Sequence, residues 1–349
     1  MKPVVERNRL GYGLAACAAI LLSTLGFLGK IAYSIGADPL TLIMLRAFMA
    51  TGIVGVAITL TNVARFKIER RDIPFFVAFG VFGVGVNYLG YFYALRLTTV
   101  ATAITLLYTY PAMVVVAAFF IFHEPITRRK VAALILTFTG VLVTAFGLSS
   151  SSITWDIRGL IFGLLGGVGT TIYTLAAKKG QVGYGALTVL FYSFLFGALT
   201  LGGFYLLQYG PRVDVTQQVL AIIILIASVP TLIGYGLYTL SLRFIEAGKS
   251  SITLTIEPGA AIILAYLFVG ESVTQIQLLG TALIVSGVIV LQLKGWERLN
   301  STRHYKTESG SSERAIAFNI KPSELLVAIG FGRNSRSIQH WVRKCRTTC

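Results

Sequence analysis

The sequence predicts an all-α polytopic membrane protein, with ten transmembrane helices arranged as two inverted five-helix repeats. Three observations carry that prediction. Of 349 residues, 55% are hydrophobic and only 13% are charged, with a mean hydropathy of +0.76, whereas a soluble domain carries about 25% charged residues. The apolar residues collect into runs near the roughly 20 residues that a membrane helix needs. The first half of the chain also reappears in the second at a constant offset of 147 residues. This composition excludes a water-soluble domain, and 22 Phe with 16 Tyr exclude a disordered chain. A β-barrel would alternate in polarity within segments of about 10 residues, but residues 40–60 are apolar on every face.

Taken in order, the spans are expected at 11–33, 40–60, 73–95, 99–122, 130–147, 158–177, 185–207, 217–240, 249–269 and 276–293. Residues 1–10 form a basic N-terminus like the first part of a signal peptide. The apolar run behind it is too long for a cleaved leader, so the first helix is retained. The repeats then occupy 11–147 and 158–293. Basic residues orient the bundle. Lys2, Arg7 and Arg9 precede the first span, and Arg65, Lys67, Arg70 and Arg71 follow the second. Arg128, Arg129 and Lys130 follow the fourth, Lys178 and Lys179 the sixth, and Arg243 and Lys249 flank the turn after the eighth. Every second connection is basic, which predicts that both termini are cytoplasmic.

Residues 294–349 hold 11 Lys+Arg against 4 Asp+Glu and read as a basic, largely disordered cytoplasmic tail. The net charge of +16 sits in short loops and this tail, where it meets anionic lipid, so no nucleic-acid partner is expected. Cys17, Cys345 and Cys349 give neither a disulfide framework nor a metal quartet.

At offset 147, Tyr88 aligns with Tyr235, Tyr91 with Tyr238 and Arg96 with Arg243. Pro111 aligns with Pro258, Glu124 with Glu271, Thr127 with Thr274 and Gly140 with Gly287, without a gap. Leu and Val matches come free in apolar sequence; paired Pro, Glu and Tyr do not. A unit of five helices is odd, so the second copy enters the membrane from the opposite side. That inverted plan is common among secondary transporters, because two such halves can close one gate while opening another.

Two segments carry a family resemblance: Tyr110-Pro111, Phe122-His123-Glu124, Thr127 and Gly140 in the first copy, and Glu257-Pro258, Gly270-Glu271, Thr274 and Gly287 in the second. With Arg46 in span 2, they resemble the drug/metabolite transporter superfamily, specifically its ten-helix EamA-type permeases, over about residues 11–293. His123 departs from the pattern, which favours glycine there. The resemblance implies a small-metabolite permease of the bacterial inner (plasma) membrane, with amino acids a common substrate class and export a common direction. Protons are a candidate coupling ion.

The candidate substrate-binding residues are Glu257, Tyr110, Arg46, Tyr88, Asn87 and Tyr235. Glu257 lies about nine residues into span 9, near the midplane, where a carboxylate is costly unless protonated or paired. It either binds substrate or a proton, or forms a structural ion pair. Arg46 stays charged and either grips a substrate carboxylate or is held by backbone carbonyls. Tyr88 and Tyr235 are deeper than interfacial anchors, Asn87 needs a polar partner, and Tyr110 directly precedes Pro111. Pro111 and Pro258 lie well inside spans 4 and 9, where each removes a donor and frees the carbonyl of Leu107 or Leu254; they are the candidate hinges. Glu124 and Glu271 read as structural acids beside the N-termini of spans 5 and 10, with Thr127 and Thr274 as N-caps. No catalytic residue, metal site or cofactor is expected: His123, His304 and His340 fall outside the spans, and no G-x-S-x-G or phosphate loop appears. A facilitative channel-like pathway and a membrane-embedded lipid-handling enzyme are the alternatives. Proton dependence with Glu257 intact, or turnover of a labelled lipid, would separate them.

Overall fold

The computed structural model describes residues 2–97, 103, 106–148, 156–269 and 274–293. The tail at 294–349, Gly270, Glu271 and the start of the expected fourth span lie outside them. Among the described residues the regular structure is helical, and seven helices are long and apolar enough to cross a membrane. The chain divides into two units, one of Met1–Gly55 with Ile68–Leu293 and one of Val56–Lys67 with Lys294–Cys349. In the second, the described part ends the Pro39–Thr61 helix and turns through Val63–Phe66, where the Asn62 side chain accepts from the Ala64 amide.

In the first unit, polar caps fix where helices begin. The Asp38 carboxylate accepts from the Thr41 amide at 2.9 Å and so starts the Pro39–Thr61 helix that carries Arg46. Asp156 caps Ile157–Gly183, Thr216 caps the helix from Gln217, and Thr274 forms a capping box with Gln277. Thr127 Oγ1 accepts from the Lys130 amide at 3.3 Å, as an N-cap of Arg128–Leu148 should. The first helix runs from Lys2 to Ser34. It begins earlier than the apolar run, because the basic N-terminal residues continue its winding.

Two departures from regular winding matter for the site. Residues Phe79–Val86 and Ala227–Gly234 are π-helical, where the sequence suggests uninterrupted α-helix. In the first, a Cβ at Gly80 would stand 2.7 Å from the Gly197 amide nitrogen, so the backbone touches its neighbour and is re-phased there. In the second, Pro230 removes a donor mid-helix. Each segment is followed by its tyrosines, Tyr88 and Tyr91 or Tyr235 and Tyr238, and so decides their direction.

The prolines are a correction. Neither kinks a continuous helix: Pro111 sits in the first turn of Tyr110–Phe122, and Pro258 in the first turn of Ile256–Val269. Pro needs no amide partner at such positions. Thr109 and Thr255 stabilise the two breaks by donating to the carbonyls of Leu106 and Ile252, each at 2.6 Å. Gly167 packs against the first break, where a Cβ would stand 3.3 Å from the Leu107 carbonyl oxygen.

Small residues bring the helices together. A Cβ on Gly140 would meet the Gly280 carbonyl and Ile284 at 2.7 Å, and one on Gly287 would meet Thr137 at 2.7 Å and the Ala133 carbonyl at 3.0 Å. Gly169 packs on the backbone of Asn87, and Gly234 on Leu22. Close backbone approach of this kind drives helix association in lipid.

His123 has φ 54°, in the left-handed region, and ends the Tyr110–Phe122 helix. The glycine preference of this position is thereby explained, since a Cβ costs about 1–2 kcal/mol in that conformation. His123→Gly is expected to stabilise the detergent-solubilised protein by roughly 0.5–1 kcal/mol, read as a higher thermal-unfolding midpoint. An unchanged or lower midpoint would show that the imidazole compensates the strain.

Candidate functional site

Arg46 is 4% exposed, and its guanidinium carbon lies 4.2 Å from the centroid of the Tyr88 ring. Stacking on an aromatic face is a favourable setting for arginine, but it leaves hydrogen-bonding capacity unused. Arg46 Nε finds no acceptor, and the buried Tyr88 hydroxyl finds no partner. Buried polar groups without partners are rare, because each loses its hydration with nothing in return.

Glu257 occupies the first turn of Ile256–Val269, directly after the break at Thr255. The exposed amides of a helix start favour a carboxylate there. Glu257 is half-buried. Its carboxylate interacts with the Tyr108 hydroxyl and lies within electrostatic reach of Arg46. Tyr91, Tyr110 and Tyr235 also feel its charge. Tyr110 is buried and its hydroxyl donates to the Ser251 carbonyl at 3.3 Å, while its ring stands 5.9 Å from that of Tyr108. Tyr235 meets Tyr173 edge-on at 5.1 Å and lies within reach of Arg46 and Tyr88.

Of the expected site residues, Arg46 therefore contacts the Tyr88 ring and lies within electrostatic reach of Tyr235 and Glu257, while Tyr110 lies within reach of Tyr235 and Glu257. Asn87, 5% exposed, neighbours them through the chain and is pinned by Gly169. Pro111 and Pro258 start the helices on which Tyr110 and Glu257 stand. Three tyrosines join the set beyond those expected: Tyr108, Tyr91 and Tyr33. Tyr33 is 36% exposed, packs edge-on against Phe92 at 6.5 Å and senses Arg46. The signal for Tyr108 was available, since it sits three residues before Pro111, in the break itself. A cavity of about 260 Å³ opens beside the two breaks, lined by Tyr108, Thr109, Pro111, Ala112 and Thr255 with the face of the helix from Leu134 to Val141. Among the described residues, no group of three His, Cys, Asp or Glu could hold a metal.

A second polar centre corrects the reading of Glu124. It does not bond the amides of the helix that follows it. Its two oxygens accept from the amides of Ala247 (2.7 Å) and Gly248 (3.2 Å), at the start of Ala247–Leu254. Lys178 Nζ donates to Glu124 at 2.8 Å and to the Ile245 carbonyl at 3.2 Å. Lys130, 1% exposed, lies 3.6 Å from Glu124 and 2.5 Å from Glu246, and Lys249 pairs with Glu246 at 2.8 Å. Burial pushes the Glu246 carboxyl up, but the two lysines outweigh it and hold the group below the usual carboxylate range.

The profile of the EamA-like transporter family matches the chain twice, over residues 9–146 and 157–293. An uncharacterized transporter of Clostridium kluyveri is 25% identical over 290 residues, spanning 80% of this chain and 92% of that protein. The uncharacterized inner membrane transporter YicL of Salmonella typhimurium is 26% identical over 237 residues, spanning 66% of this chain and 76% of that protein. A solved crystal structure superposes with a TM-score of 0.71 at 19% identity, over 83% of this chain and 98% of that one, a likeness of fold alone. Apolar helices long enough to span, and a family profile matched in both halves, make this multi-pass membrane protein a member of the EamA-like transporter family, within the drug/metabolite transporter superfamily.

Proposed function

We propose that this chain is a permease of ten helices that exports a small zwitterionic metabolite, an amino acid or related compound, across a bacterial inner membrane by alternating access. The carrying observation is the pairing of a buried, under-satisfied Arg46 with Glu257 within its electrostatic reach, in a setting of tyrosines. Arg46 would take the carboxylate of the solute, in the forked geometry that guanidinium favours. Glu257 and Tyr108 would take its amine, and Tyr88, Asn87, Tyr110 and Tyr235 would wall the site. A proton is the alternative occupant of Glu257 and so the candidate coupling ion.

Symmetric contacts support two inverted repeats at 11–147 and 158–293. Adding 147 to Ala133, Thr137 and Gly140 gives Gly280, Ile284 and Gly287, and the packing of Gly140 on Gly280 and Ile284 becomes that of Gly287 on Ala133 and Thr137. The same offset turns the Asn87–Gly169 contact into that of Gly234 with Leu22. Both π segments also recur near this spacing. Basic connections favour cytoplasmic termini.

Untargeted metabolomics of the medium from overexpressing and control cells tests the reading. The expected result is accumulation of amino-acid-like zwitterions, lost in Arg46→Gln by roughly 30-fold or more in flux. A change confined to uncharged or purely anionic solutes overturns it.

A further inference from the structure

The five charged groups centred on Glu124 do more than the packing of a helix end requires. They join four segments distant in sequence: the turn at His123–Glu124, the start of Arg128–Leu148, the end of Ile157–Gly183 and the turn at Ile245–Lys249. Glu124 is 5% exposed and Lys130 1%. Burying so much charge is costly, and is repaid only while each member keeps its partners.

Between this cluster and the tyrosine site, hydroxyls meet hydroxyls across the packed helices. Ser241 meets Ser250 at 2.6 Å, Thr174 meets Tyr238 at 2.8 Å, and Tyr173 meets Thr239 at 3.0 Å. Ser250, Ser251 and Thr239 are fully buried. Hydroxyl pairs of this kind hold helices together in lipid, and they are the polar groups that separate the charged cluster from Tyr110. Zipped together, these groups satisfy one another; drawn apart, they would line a wet passage ending at Tyr110, whose hydroxyl already binds Ser251.

The second half of the chain does not repeat these residues. At offset 147, Glu124 has its counterpart in Glu271, but Lys130 corresponds to Gln277, Lys178 to Ile31, Lys249 to Thr102 and Glu246 to Thr99. Gln277 turns back on its own helix start, accepting from the Thr274 amide at 2.8 Å, and does not reach across.

We propose that Glu124, Lys130, Lys178, Glu246 and Lys249 form an ionic lock on one access route only, with Glu124 as its pin, so that the unloaded protein rests shut at the end carrying the basic loops. This rests on the alternating-access reading. Opening that end pulls Glu124 off the Ala247 and Gly248 amides and away from Lys178. The opposite end lacks lysines at the equivalent positions. The lock therefore biases the resting state toward the one open at the far end, and solute binding has to supply the difference.

The test uses the full chain with Cys17, Cys345 and Cys349 replaced by Ser, in membrane vesicles of both orientations. Ser251→Cys reports the passage behind the lock, and Tyr33→Cys the far end, each by reaction with a membrane-impermeant maleimide. In Glu124→Gln, labelling of Ser251→Cys from the basic face is expected to speed up by about tenfold or more, and labelling of Tyr33→Cys from the other face to slow. Lys178→Gln, which removes a partly exposed partner and spares the pin, is expected to give a rise of roughly threefold in the same direction; it carries the test if Glu124→Gln does not accumulate. Unchanged labelling of Ser251→Cys in a folded variant overturns the lock, as does faster labelling at both reporters, which signals general loosening. A rise at Ser251→Cys with none of the slowing at Tyr33→Cys leaves the lock standing and overturns alternating access instead.

Discussion

Glu257→Gln is expected to lower the flux of an amine-bearing solute by about two orders of magnitude while leaving folded protein in the membrane. Gln keeps the shape of the side chain and can still pair with Tyr108, so the helix start at Ile256 should survive. The charge that faces Arg46 and the surrounding tyrosines is lost. With a solute amine seated against Glu257, losing one partner of the desolvated charge pair costs about 2–5 kcal/mol, and each 1.4 kcal/mol or so is a factor of ten. Glu257→Asp retains the charge on a shorter arm and should keep part of the flux. Reconstituted liposomes with the solute identified by metabolomics give the measurement. Flux in Glu257→Gln equal to that of the parent would reduce this carboxylate to a structural group.

Gly169→Ala should be the most damaging single methyl in the bundle beside the site. Its Cβ would stand 2.5 Å from the Asn87 amide nitrogen and 2.6 Å from the Asn87 Cα, which are backbone atoms and cannot rotate aside. The two helices must part, at a cost of about 1–3 kcal/mol for overpacking of this kind. The displacement is delivered to Asn87 and Tyr88, and through the Tyr88 ring to Arg46. Stability and transport should therefore fall together. Gly203→Ala is the control: nothing lies within 4 Å of a Cβ there, and the helix should gain roughly 0.5–1 kcal/mol from the better helix former. Thermal unfolding in detergent checks both. Equal midpoints for the two variants would show that the Gly169 contact yields without cost.

Among the described residues, seven helices long enough to cross a membrane fall where the chain has long apolar runs, because lipid demands such runs and these are local features. Polar residues placed deep in such runs stand out for the same reason, which is how Arg46, Glu257 and Tyr88 could be chosen. The helix caps are legible as well: Thr127 and Thr274 act through amides three residues ahead. Tyr108 carried a signal, its place three residues before Pro111 and well inside the expected span, but only the break at Thr109 sets it beside Glu257. The two π segments are hidden. Gly80, Gly83 and Gly85 announce close packing, but winding changes only where the backbone actually meets Gly197.

By itself, then, the sequence determined the apolar helices, the repeat at 147 residues and the family, because hydropathy, spacing and motif are properties of neighbouring residues along the chain. Tertiary structure alone decided the rest. Pro111 and Pro258 begin new helices instead of bending old ones, with Thr109 and Thr255 donating to the carbonyls of Leu106 and Ile252 at the breaks. Glu124 binds amides 123 and 124 residues away in the chain, not those of the helix beside it. A buried carboxylate takes whichever donors reach it without water, and which donors those are is known only once the helices have packed.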